Sequence, residues 1–319
     1  MTAAGSWVAA SVRARSIAHG RLGAGGVHSV LTAPDRARGL AIAAGSMYSG
    51  LAGSAERDPG AVEHEIGAAV LWRLRVLAGW LPPGGSLVLR SVAAFFEREN
   101  LLRLARALQQ DETRPNAGPD DGAGDYALGG LASCWPAASR AHNAAELRSS
   151  LAASPWGDPG TVDPVPLADT LAIAAWRRLV AVAPAARSWG RDAVVLLAAR
   201  LRVIENAAPS DRQRALASPL LGANWPSATD LDAMRASLPP SGRRAIDAVG
   251  APDGLWLAEA ALIARIDADA VRLLRSARPG PEVVLATAAV LMVDGWRLRA
   301  ALTAVGDPIA VEEVLDVVA

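Results

Sequence analysis

Four polar residues, Glu97-Arg98-Glu99-Asn100, interrupt the apolar stretch FFERENLLRLARAL at 95–108. A helix turns once in about 3.6 residues, so four consecutive polar side chains girdle it and at least one must face protein. An acid beside an amide in such a setting could move protons, or it could hold backbone by hydrogen bonds. Glu99 stands four residues before Arg103, the order that supports a helix from its solvent side. Asn100 falls on another face and is expected to meet protein, where its carboxamide needs partners. The same join of an apolar run to an acid and a small or amide residue recurs in VVLLAARLRVIENAA, at Glu205-Asn206, and in VLATAAVLMVDGWRLRAAL, at Asp294-Gly295. Glu99, Glu205 and Asp294 are 106 and 89 residues apart, which points to an internal triplication. With Glu97 of the same polar belt, Asn100, Glu205 and Asn206 form the expected structural motif. Asn100 and Asn206 should each hydrogen-bond backbone at a helix end or junction.

Other chemistry-bearing residues lack the context they need. His64-Glu65 has no second histidine four residues after the first, so a zinc-protease helix is absent. Gly23, Gly25 and Gly26 follow no strand, and the last glycine of a dinucleotide loop is missing. Asp267-Ala268-Asp269-Ala270-Val271 resembles the DxDxV nucleophile of haloacid-dehalogenase-type phosphotransferases. That chemistry needs the aspartates at the end of a buried strand, and the preceding LWLAEAALIAR reads as helix. Asp120 and Asp121 lack a calcium-loop register. The four histidines, 19, 28, 64 and 142, share no helical ligand spacing. No catalytic, metal-ligating or cofactor-binding residue is expected, and the chain reads as a protein that is not an enzyme. Among ten tryptophans, Trp189, Trp225 and Trp256 are the candidates for exposed partner contacts.

Helices must position these residues. Ala, Leu and Arg dominate the 319 residues, and strict apolar/polar alternation is scarce. Helices are expected over 7–19, 62–81, 87–110, 128–140, 143–153, 167–182, 187–206, 255–275 and 281–305. Ile66, Val70, Leu74 and Leu77 share one face. One or two short helices fall within 27–50 and others within 208–252, and a closing helix is capped by Asp307-Pro308. The Pro/Gly/Asp tract 111–125 reads as a loop or linker. Thirty-two basic residues, all arginine, balance thirty-two acidic ones, so the broad basic field of non-specific nucleic-acid binding is missing. Cys134 is the single cysteine, which excludes an internal disulfide and suggests a reducing compartment. The N-terminus does not read as a signal peptide, and the apolar run Val283–Val293 is too short for a membrane span of roughly 20 residues.

Four segments together resemble the C-type socket family of the prokaryotic V-type (A/V-type) rotary ATPases, whose eukaryotic counterpart is the d-type socket of the V-ATPase. They are WVAASVRARS at 7–16, MYSGLAGSAERDPGAVEHEI at 47–66, FFERENLLRLARAL, and the closing pair LWLAEAALIARIDADAVRLL and VVLATAAVLMVDGWRLRAAL with its Arg297–Arg299 run. The resemblance covers nearly the whole chain in order and spacing. Val203 and Gly295 depart from the family pattern, which often has a carboxylate three residues before Asn206 and an amide or similar residue at the latter position. The resemblance implies an all-α protein of three pseudo-repeated helical subdomains forming a funnel-like bundle. The expected division is 1–110, a loop at 111–127, then 128–215 and 216–319. It further implies a non-catalytic central-stalk socket, peripheral on the cytoplasmic face of the membrane. This socket would join the axle subunits to the membrane rotor ring for ATP-linked proton or sodium transport, with no cofactor, nucleic acid or small-molecule substrate. A helical scaffold or adaptor derived from that family is the alternative.

Overall fold

The computed structural model describes residues 3–54, 56–113, 124–275 and 278–306. Among them are fourteen α-helices and no strand. They are α1 (Ala3–His19), α2 (Gly23–Leu31), α3 (Arg36–Ala44), α4 (Pro59–Ala78), α5 (Leu87–Thr113), α6 (Trp135–Ala138) and α7 (Ala144–Ala152). There follow α8 (Pro164–Val182), α9 (Arg187–Ala199), α10 (Asp211–Leu221), α11 (Leu231–Ser237), α12 (Pro240–Arg243), α13 (Leu255–Arg275) and α14 (Pro281–Ala304). Most of the tract 111–125, including Asp120 and Asp121, and the expected Asp307-Pro308 cap lie outside the described residues. The expected helix over 128–140 is instead a 3-10 turn, Gly129–Leu131, followed by the single turn of α6. Gly129 takes a φ of 54°, a left-handed conformation that cannot propagate an α-helix.

Side-chain caps set many of the helix starts. Asp35, Asn143 and Asp230 precede α3, α7 and α11 in near-identical extended conformations, with φ of −156°, −154° and −150°. Each side chain accepts from the amide three residues on: Arg38 N at 2.7 Å, Glu146 N at 2.9 Å and Ala233 N at 2.8 Å. Replacing such a cap by alanine typically costs ~1 kcal/mol. The three caps are 108 and 87 residues apart, close to the intervals between the acidic joins. Asp58 and Asp163 likewise cap α4 and α8, each followed by a proline suited to the first helical position.

The chain forms two compact units. The first comprises Met1–Leu89, Pro119–Leu131 and Ile263–Ala319. Its centre is α14, which packs against α1, α2, α3 and α4. The buried residues of α14, from Val283 through Val293 to Leu302, lie on nearly every face, as expected of a surrounded helix. Helix α4 turns Ile66, Val70, Leu74 and Leu77 inward, as the periodicity predicts. Asp267 lies on α13 and pairs with Arg297 of α14 at 2.7 Å, and Asp269 pairs with Arg272 on its own helix. The DxDxV aspartates thus stand on a helix, not at a strand end.

The second unit comprises Arg90–Gly118 and Ala132–Leu262. Here α8, α9 and α10 pack on one another. Gly190 lets α9 approach α8 closely: a Cβ there would meet Val180 Cγ2 at 2.4 Å. Trp189 and Trp225, expected as contact residues, are instead core, 2% and 0% exposed; Trp256 is exposed. Large flat rings fill the gaps between short helices, and that need overrides any surface role. Helix α9 ends in one π-helical turn, Arg200–Ile204. No described helix is long and apolar enough to cross a membrane.

Candidate functional site

Glu97 is 1% exposed, in the middle of α5. Its Oε1 accepts from the backbone amides of Ser133 and Cys134 at 2.7 Å and of Trp135 at 2.9 Å. Oε2 accepts from the Trp156 indole at 2.9 Å and from the Ser133 hydroxyl. The carboxylate therefore holds the start of α6 and the residue that follows the α7 turn. Burial alone would push its pKa up. The amides of Cys134, Trp135 and Ser133, with the Ser133 hydroxyl, outweigh burial and hold the carboxyl below the usual glutamate range. Arg178 closes the surroundings: Nη2 donates to Ser133 Oγ at 3.0 Å, and the guanidinium lies 4.7 Å from the Trp156 ring centre. Five donors occupy the lone-pair directions of a carboxylate, so Glu97 is committed to the backbone.

The first unit contains the same device. Asp294, 2% exposed on α14, accepts from Gly23 N at 2.7 Å, Leu22 N at 3.0 Å and Tyr48 Oη at 2.9 Å. It holds the start of α2 and an aromatic side chain beyond α3. Burial dominates here and pushes the Asp294 carboxyl above the usual aspartate range; its three donors recover only part. Burial, reinforced by the Asp294 charge, also pushes the Tyr48 phenol up. The glycine at 295, beside Asp294, has a steric reason. A Cβ there would meet Val70 Cγ2 at 3.2 Å and Ile66 Cγ2 at 3.4 Å on α4.

The structural register differs from the sequence reading. The buried counterpart of Asp294 is Glu97, two residues before Glu99. Glu99 is half-buried and pairs with Arg98, whose Nε donates to Ala168 O at 3.1 Å. Asn100 has no exposed surface and is not without a partner. Asn206 does not repeat it. Asn206 is exposed with a φ of 48°, the left-handed residue where the helix stops. Asparagine tolerates that conformation, and the amide of Ala207 closes the end on Leu201 O at 2.9 Å. Its role is backbone geometry, not a side-chain bond. Glu205 is also exposed and lies 3.6 Å from Arg200, which pairs in turn with the buried Asp169. At this third join the polarity is inverted. Arg202 Nη1 donates to Ala207 O at 2.7 Å and Nε to Ala228 O at 3.1 Å. A cation catches carbonyls where the other two joins use an anion to catch amides.

Tyr48, Trp156, Ser133 and Arg202 do not stand out in the sequence. One signal could have found the aromatics: Tyr48 lies thirteen residues after Asp35, and Trp156 thirteen after Asn143. Among the described residues, no group of three or more His, Cys, Asp or Glu is placed to hold a metal ion. In comparisons with known proteins, no family model matches the chain and no curated protein matches it.

Proposed function

We propose that the chain is the non-catalytic socket of a V-type rotary ATPase central stalk, built of three related helical subdomains arranged as a funnel. It would sit on the cytoplasmic rim of the membrane rotor ring, receive the axle subunits and pass torque between ATP turnover and ion movement. The observation that carries this reading is recurrence. An extended cap, a short helix and an aromatic residue thirteen positions after the cap occur twice in matching order, each aromatic tied to a buried acid of a long helix. A further extended cap, Asp230, stands 87 residues after Asn143, and Arg202 makes an inverted join 105 residues after Glu97. The ordered resemblance of four segments supplies the family. A torque-bearing part needs stiffness, and buried carboxylates that tie helix starts to long helices provide it.

The test is assembly. The chain, co-expressed with the axle and ring subunits encoded in the same genome, is expected to co-purify with both, and added salt should weaken the association by screening surface charge. Its complete absence from the assembled rotary complex would overturn the proposal.

A further inference from the structure

The first unit exposes an aromatic stripe that its core does not need. While α4 turns its apolar face inward, Trp72 and Val76 stand one turn apart on its other side, and Trp80 follows two residues past the helix end. Trp72 is 55% exposed and Trp80 53%. Each tryptophan carries an arginine: the Arg75 guanidinium lies 5.4 Å from the Trp72 ring, and that of Arg13 lies 5.7 Å from Trp80. Arg75 is fixed from its other side as well. A Cβ on Gly129 would lie 3.0 Å from Arg75 Nε, so the guanidinium rests on glycine backbone. Trp72, Arg75, Val76 and Leu131 line a cleft of about 500 Å³, within the ~300–1,000 Å³ range of ligand pockets.

Charge decides what fits. A guanidinium carries five N–H donors that want oxygen acceptors. Among the described residues no carboxylate pairs with Arg75 or Arg13. The adjoining cleft adds Arg73 and a single carboxylate, Glu65. The stripe thus combines exposed apolar faces with prepositioned cations that lack anions of their own. We infer that the Trp72–Trp80 stripe is a docking surface for a short acidic protein segment. A leucine-sized side chain of that segment enters the cleft against Trp72, and a neighbouring carboxylate meets Arg75. The inference goes beyond the rotary reading and does not rest on it.

A fluorescein-labelled peptide alternating aspartate and leucine tests it against the full chain by anisotropy, with a lysine-for-aspartate peptide and phosphatidylserine vesicles alongside. The acidic peptide is expected to bind saturably and the lysine peptide not to bind. Trp72→Ala and Arg75→Glu should each weaken binding about tenfold or more, as anchors of a contact do. Arg75→Lys keeps the charge but loses the planar fork, and should fall between. Both side chains reach the surface, so circular dichroism and the melting temperature should match wild type. No binding of the acidic peptide, equal binding of the lysine peptide, indifference to both substitutions, or Trp72-dependent capture by vesicles alone would each overturn the proposal.

Discussion

The Glu97 and Asp294 clasps have one plan and two electrostatic characters. Each buries a carboxylate on a long helix, captures the first amides of a short helix and adds one aromatic donor. Glu97 has five donors and is held ionised; Asp294 has three and is pushed toward protonation. The donor count decides which way a buried acid goes, because each N–H offsets part of the cost of stripping water from the charge. An extra methylene gives glutamate the reach to collect more of them. The third join shows that the plan does not even require an anion: Arg202 satisfies carbonyls instead.

Removing the richer clasp should be the most damaging change. Glu97→Ala leaves four buried N–H groups without their acceptor, each worth ~1–3 kcal/mol when orphaned, so a loss of at least ~3 kcal/mol is expected in urea unfolding. Asp294→Ala orphans two backbone amides and should cost clearly less; equal losses would break the distinction. Next comes Gly295→Ala. Gain in helix propensity is outweighed by the contact with Val70, for a net cost of about 1–2 kcal/mol. An alanine variant as stable as wild type would show that α4 shifts to make room.

Smaller again is Tyr48→Phe, which removes donor and hydroxyl together and leaves no orphan, so about 1 kcal/mol is expected. The pH response is subtler and sharpens the contrast most. Asp294, with its folded pKa raised, stabilises most when protonated. Its contribution is complete below the unfolded value of ~3.9 and is lost as pH rises through the higher folded value. Glu97, with its folded pKa lowered, contributes above ~4.3 and loses that contribution as pH falls through its lower folded value. Acidification should therefore favour the first clasp before it weakens the second. Urea midpoints against pH should lose the early gain in Asp294→Asn and the later loss in Glu97→Gln; parallel curves for both variants and wild type would remove the contrast.

Much of this architecture is legible in the chain. The inward face of α4, the bounds of α13 and the helical setting of Asp267 and Asp269 follow from periodicity. Glu97 and Asn100 stand out because polar residues in an apolar run must be answered by something. What answers Glu97 lies 36 to 59 residues away, at the start of α6 and in the loop after α7, and a one-dimensional pattern carries no such distance. Proximity to Asn100 suggests Glu99 as the repeating acid, yet a shift of two positions on a helix separates a core face from a half-wetted one. Asn206 misleads for a related reason. An asparagine after an acid looks the same whether its carboxamide is buried or its backbone merely turns left-handed. The tryptophans fail through composition alone: ring size favours burial and surface contact equally, and only the packed helices separate Trp189 from Trp72.

Cys134 gives the second unit a built-in gauge. Its thiol is the only one in the chain, it is 3% exposed, and its amide is one of the groups Glu97 grips. Burial also keeps the thiol in its unreactive protonated form. A disulfide reagent can therefore modify it only during the moments when this region opens. The modification rate becomes a direct reading of the opening free energy, residue-specific and free of competing signals. Held at rest or placed under torsional load, the same sulfur would report whether the clasp is a fixed joint or one that yields.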